Sequence, residues 1–145
     1  MSVLAVLIDT DILIDFLTER EPYSKYAKAI IQKSQKKTVN AFLAAHSITN
    51  IFYILRKLYT INERKQLLMD LCNTISVVEI GHELILNVLA NNDFDDIEDC
   101  LQAECAKAVN ADYIITRNIS DYTDSGIKAI LPEKLLKILN SPNTK

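Results

Sequence analysis

Hydrophobic positions divide the chain into short alternating segments. Val3 to Ile8 is an unbroken apolar run that stops at Asp9. A run of this kind, closed by polar residues, predicts a strand buried on both faces. Thr10 to Leu17 reads as a short helix, broken by Arg20-Glu21-Pro22. In Tyr23 to Lys37 the apolar residues Tyr26, Ala27, Ile30 and Ile31 recur at helical spacing among lysines, which predicts a basic amphipathic helix. Thr38 to Ala45 predicts a second strand. Ser47 to Tyr59 predicts a helix with Ile48, Ile51, Phe52, Leu55 and Leu58 on one stripe, and Asn62 is read as the N-cap of a further helix through Cys72. Ile75 to Ile80 is a β-branched strand and Gly81 to Leu89 a helix. Asp96 to Val109 is a second helix of this half, with Ile97, Leu101, Cys105 and Ala108 near one face. Asp112 to Thr116 and Ile127 to Ile130 predict two more strands. Pro132 opens a last helix to Leu139, and the tail after Ser141 is expected to fray.

Strands alternating with helices indicate an α/β fold with a mainly parallel sheet. No repeat, linker or low-complexity tract interrupts the pattern, so residues 1–145 read as a single domain. With 49% hydrophobic and 24% charged residues, the composition is that of a globular chain with a core of its own. Only 2 Gly and 3 Pro are present, which disfavours a glycine-rich phosphate loop and a turn-rich all-β fold. Cys72, Cys100 and Cys105 form no C-x-x-C pair, and their odd number suits a reducing cytosol, so a cytoplasmic location is expected. His46 and His82 are too isolated for an H-E-x-x-H zinc site, and His46 is read as structural or surface-lying. The first apolar run is too short to span a membrane and has no basic segment before it, so neither a membrane partner nor a signal peptide is expected.

Charge changes the picture more than composition does. The formal net charge of −3 excludes a protein that holds nucleic acid by overall charge alone. Yet Arg20 to Lys65 carries 10 basic and 2 acidic residues, whereas Gln66 to Ile127 carries 2 basic and 12 acidic ones. The basic helix is either a solvated face or a surface for phosphates or an acidic partner.

Parallel sheets place functional groups outside the carboxyl ends of their strands. Asp9-Thr10-Asp11 follows the first strand, and Thr116-Arg117-Asn118-Ile119-Ser120-Asp121 follows the fourth. Asp93, Asp95, Asp96, Glu98 and Asp99 gather at a helix start between them. Carboxylates brought together either take up protons or bind a cation. An all-oxygen donor set favours Mg²⁺ or Mn²⁺, which suits phosphoester cleavage. Asp93, Asp95 and Asp96 fit the plainer role of helix caps and dipole partners. Asp99 lies past the first turn, on the side of Gln102, Ala103 and Ala106, a small-residue face that lets the helix approach the sheet closely. A carboxylate ending a buried strand is costly unless paired or metal-bound, which favours function for Asp9. Asp11 is read as a cap of the next helix. Asp121 is either a ligand or a loop carboxylate, and Asn118 either an amide-oxygen ligand or a cap. Tyr53 and Tyr59 are read as core residues with polar tips.

Four segments, taken together, resemble the PIN-domain family and within it the VapC-type ribonuclease toxins of bacterial toxin–antitoxin pairs. They are Val6 to Phe16, His46 to Lys57, Asp93 to Ala103 and Ala111 to Tyr122, in the family's order. The resemblance implies a three-layer α/β/α sandwich around a parallel sheet of five strands. It implies Mg²⁺- or Mn²⁺-dependent endonucleolytic cleavage of RNA, in which a metal-activated water attacks the phosphodiester in line. Asp9 matches the acid after the first strand and Asp99 the acid of the central helix. Asp121 and Asn118 fall where the family places its last acids, so Asp9, Asp99 and Asp121 are the implied catalytic residues, and these three with Asn118 the implied metal ligands. Asp96, Glu98, Asn50 and Thr116 are the surrounding candidates. Two positions depart from the family: Asn50 stands where many members carry Glu, and Asn118 where Asp is frequent. The implied partners are an RNA substrate, a small antitoxin whose C-terminal segment covers the site, and a second copy of the chain in a homodimer.

Other readings remain open on the residues alone. A catalytically weak or inactive PIN-like module that binds a partner would show the same charge segregation. Asp9-Thr10-Asp11 also resembles the D-x-D of haloacid-dehalogenase phosphohydrolases, but Leu13 stands where those want Thr or Val, and no strand-end Lys is evident. A response-regulator receiver would need an Asp after the third strand, where Glu79-Ile80-Gly81 has none.

Overall fold

The computed structural model of the chain describes residues 3–141. The tail expected to fray after Ser141 lies outside the described residues. Five parallel strands form one sheet: β1 (Ala5–Ile8), β2 (Asn40–Ala44), β3 (Ser76–Val78), β4 (Tyr113–Ile115) and β5 (Lys128–Ile130), in the order β3-β2-β1-β4-β5. β1 is central because it carries the strongest apolar run; Val6, Leu7 and Ile8 are at most 1% exposed. It registers Val6 opposite Ala41 of β2 and opposite Tyr113 of β4. The strand order reverses beside β1, which makes the carboxyl ends of β1 and β4 the expected place for a ligand.

The helices are α1 (Thr10–Leu17), α2 (Ser24–Gln35), α3 (Ala45–Ile54), α4 (Ile61–Thr74), α5 (His82–Ala90), α6 (Ile97–Ala108) and α7 (Pro132–Asn140). Side chains alternate across the strands and build two cores. Val6, Ile8, Ala41, Leu43, Ile115 and Ile130 face helices α1, α2, α3, α4 and α7. Leu7, Ala44, Val78 and Ile114 face α6, with Leu84 of α5 packed beside them. The result is the three-layer α/β/α sandwich expected from the sequence.

Several local expectations are corrected. α4 begins at Ile61, so Asn62 lies inside the helix and Thr60 is its cap. Thr60 Oγ1 accepts the Glu63 N–H at 3.1 Å, and Glu63 Oε1 accepts the Thr60 N–H at 2.8 Å. This reciprocal capping box satisfies two donors that Asn62 would have left open. The helix after β2 ends at Ile54 and tightens into a 3₁₀ turn over Leu55–Lys57. That rotation leaves Leu58 63% exposed and off the stripe, and Tyr53, within α3, is also 63% exposed and out of the core. Tyr53 instead lies under the Arg56 guanidinium, 3.7 Å from the ring centroid. Tyr59 does pack on the core, its hydroxyl donating to Leu17 O at 3.2 Å. On α6 the buried face is Cys100, Gln102, Ala103, Cys105 and Ala106, while Ile97 is 55% exposed and Ala108 is also exposed. The small residues win that face because α6 lies directly across β1, β2 and β4.

Candidate functional site

Asp9 leaves the end of β1 in extended conformation and caps α1, its carboxylate accepting the Thr10 N–H at 2.7 Å. Asp9, not Asp11, is therefore the cap of that helix, and Asp11 sits in its first turn. The other oxygen of Asp9 accepts two hydroxyls, from Thr116 at the end of β4 and from Tyr122, each at 2.9 Å. Burial raises the Asp9 pKa, these hydrogen bonds oppose the rise, and Asp121 adds to it. Tyr122 closes a 3₁₀ turn over Ile119–Tyr122 and is 2% exposed. Burial, with the charge of Asp9, pushes its phenol far above the usual value, so it stays a donor.

Asp99 enters from α6, on the opposite wall. Asp96 caps that helix, accepting the Glu98 N–H at 2.8 Å and the Asp99 N–H at 3.3 Å, which realises the plainer role read for Asp96. The Asp99 carboxyl is pushed up to about 7 by burial and by Asp96, Asp121, Asp9 and Glu98. Asp11 is pushed up to about 6 by burial and by Asp9, with Arg117 opposing. Its Oδ2 accepts Asn118 Nδ2 at 3.1 Å, while its Oδ1 is buried without a partner. Asn118 donates its backbone N–H to Thr116 Oγ1 at 3.0 Å and makes no side-chain cap.

A cleft of about 250 Å³ at the carboxyl edge of the sheet is lined by Asp9, Thr10, Asp11, Ile14, Glu98, Asp99, Gln102, Asn118 and Asp121. The structure thus brings together Asp9, Asp99, Asp121, Asn118 and Glu98. A second acidic cleft of about 370 Å³ adjoins it; Asp99 and Asp121 line both, and Asp93, Asp95 and Asp96 line only the second. Asn50 of α3 reaches the rim, its amide donating to Glu98 Oε2 at 3.4 Å. Thr116 is beneath the cleft, acting on Asp9. His46, in the first turn of α3, has both ring nitrogens buried and unpartnered; burial lowers its pKa, and the charges of Glu98 and Asp9 oppose the fall.

The donor set is all oxygen. It is crowded enough that its carboxyls gain proton affinity, and it holds an orphaned carboxylate oxygen on Asp11. These features fit a hard divalent cation. Among the described residues, no group of three or more His, Cys, Asp or Glu side chains is arranged to hold a metal ion as it stands.

Three groups escaped the sequence reading. Asp11 was read as a cap. Tyr122 gave no signal beyond its place after Asp121. Arg117 forms a bidentate pair with fully buried Asp15, Nε–H at 2.8 Å and Nη2–H at 3.2 Å, and lies over Tyr23 at 4.2 Å from the ring centroid. The cation beside the site is thereby paired with Asp15, and its charge also acts on Asp11.

Comparisons with known proteins agree with this fold. A solved toxin–antitoxin complex from Klebsiella pneumoniae contains a chain similar to this one, with a TM-score of 0.66 at 18% identity, over 88% of this chain and 97% of that one. VapBC2 from Rickettsia felis, bound to a promoter DNA fragment, aligns with a TM-score of 0.61 at 14% identity, over 88% and 98% of the two chains. VapC20 of Mycobacterium tuberculosis, described as a sarcin–ricin loop cleaving toxin, aligns with a TM-score of 0.60 at 10% identity, over 75% and 86%. No curated protein matches the sequence at a significant level. At these identities the solved structures establish a shared fold. The family itself is established by the sequence profile of the PIN domain, which matches residues 5–120, and the chain belongs to the PIN-domain family.

Proposed function

We propose that the chain is a Mg²⁺- or Mn²⁺-dependent endoribonuclease of the toxin type. One observation carries the reading. Asp9, Asp99 and Asp121 come from three distant chain segments and line one cleft that has no Lys or Arg among its lining residues. Asp9, Asp99, Asp121 and the amide oxygen of Asn118 would hold the ion. Bound there, it would supply Lewis acidity toward the phosphate and lower the pKa of water. Asp9 is held in place by Thr116 and Tyr122, so its carboxylate needs little ordering. Asp99, whose pKa burial and the neighbouring carboxylates raise in the metal-free protein, would release its proton as the ion binds. Glu98 and Asn50 at the rim, with Asp96 in the adjoining cleft, would orient water or phosphate oxygens. Family membership sets aside the phosphohydrolase and receiver readings.

The partners follow from the same reading. The neighbours include toxin–antitoxin complexes, and a small antitoxin whose C-terminal segment brings an Arg to the carboxylates would mask the site by charge-assisted hydrogen bonds. The chain would act on RNA in the cytosol and pair with a second copy as a homodimer. No helix among the described residues is long and apolar enough to cross a membrane.

A weakly active, partner-binding module is the second reading. Asn50 favours it, because this position offers an amide that is already turned to Glu98. A nuclease assay separates the two. The parent should cut RNA with Mn²⁺ and stop with a chelator, and Asp99→Asn should be inactive. Cleavage that survives both changes refutes the assignment, and a parent that binds Mn²⁺ without cutting supports the module.

A further inference from the structure

Beneath the cleft lies a buried polar triangle for which the cation site as described has no use. Gln102 of α6 is 2% exposed and Ser47 of α3 is fully buried. Gln102 Nε2 donates to Thr10 Oγ1 at 3.1 Å and to Ser47 Oγ at 3.0 Å, and the two hydroxyls bond each other at 2.8 Å. Gln102 Oε1 is buried and has no partner. Its neighbours on the helix face are the small apolar residues Cys100, Ala103, Cys105 and Ala106.

A face of that kind would pack more favourably with an apolar residue than with an amide left half satisfied. Here both amide protons are committed to hydroxyls on the other helices, and this fixes which way the amide points. The remaining oxygen belongs to a residue that lines the carboxylate cleft. Gln102 also stands one turn beyond Asp99, while Thr10 follows Asp9 directly. The triangle therefore ties the helix that carries Asp99 to the strand end that carries Asp9.

We infer that Gln102 is a positioning residue of the cleft. It fixes the spacing between Asp99 and Asp9 and offers Oε1 as a neutral acceptor to the hydration shell of a bound cation. The inference rests on the divalent-cation reading proposed above.

Mn²⁺ binding to the full chain, followed by electron paramagnetic resonance of the free ion, tests it beside the melting temperature. Gln102→Met keeps the side-chain volume and removes the amide. It should weaken Mn²⁺ binding about tenfold, the loss typical of groups that orient metal ligands, with little change in melting. Gln102→Glu retains length and an oxygen that both hydroxyls can reach, and should restore binding to at least the parent level. Parent-like binding by Gln102→Met overturns the inference. Should that variant fold poorly, Ser47→Ala replaces it: weakened Mn²⁺ binding supports the inference and parent-like binding overturns it. Asp99→Asn distinguishes the two layers. If the parent and Asp99→Asn bind Mn²⁺ equally, or neither binds, the cation reading fails and the inference falls with it.

Discussion

Removing Arg117 is expected to cost more stability than its place in a loop suggests. Asp15 is fully buried, and its carboxylate accepts two N–H groups of Arg117. Arg117→Met would leave that anion buried without compensation. Stripping one partner from a buried ion pair costs about 3–5 kcal/mol. The Arg117 side chain is 23% exposed, so water reaches part of the vacated space and the lower end of that range applies. Loss of the contact with Tyr23 adds about 0.5–1 kcal/mol. A total of about 3.5–4 kcal/mol is therefore expected, a large part of the ~5–15 kcal/mol that keeps a domain folded. Asp15→Asn should cost less, since Arg117 retains a neutral acceptor and some solvent. Urea unfolding followed by circular dichroism at neutral pH measures each variant. The double variant Asp15→Asn/Arg117→Met removes both charges and should recover about 2 kcal/mol relative to the sum of the single changes. A loss below about 1 kcal/mol for Arg117→Met would refute the reasoning, and so would single effects that simply add in the double variant.

The acidic cleft predicts a pH dependence of the metal-free protein. Asp11 and Asp99 titrate near about 6 and about 7 in the fold against 3.8 when free, so between those values the native state holds the extra protons. Their contribution to stability therefore falls as pH rises from about 4 to about 7. The melting temperature of Asp99→Asn relative to the parent should rise across that window, and a flat difference would contradict it. Tyr122→Phe removes one of two hydroxyls on Asp9. It should cost about 1.5 kcal/mol in urea unfolding, the low end for a hydrogen bond to a charged group, because Thr116 remains in place. An unchanged midpoint would show that Asp9 does not depend on Tyr122.

Periodicity revealed the order of elements because each has a clear apolar signature. Thr10–Leu17 matches the sequence reading residue for residue, and β1 lies within the run that predicted it. The boundaries drifted where local chemistry competes. Asn62 is a good cap in isolation, but Thr60 with Glu63 satisfies two donors. Leu58 fits a helical stripe until the chain tightens into a 3₁₀ turn and rotates it outward, whereas Tyr53 lies on the exposed side of α3. Asp9, Asp99 and Asp121 were legible because parallel-strand ends and acidic residues are both visible in one dimension. Tyr122, Gln102 and the Asp15–Arg117 pair were not. Their roles exist only through contacts of long sequence separation, and polar residues with buried partners look like ordinary surface residues in a sequence.

The central claim is that the carboxylate cleft holds a divalent cation. Calorimetric titration of the metal-free chain with Mn²⁺ near pH 7, repeated in two buffers of different ionisation heat, tests it most directly. The account predicts saturable binding with release of protons, because cation binding must displace those held by the raised carboxyls. It also predicts that Asp99→Asn abolishes the heat. Absence of binding by the parent, or binding that Asp99→Asn leaves intact, would contradict it.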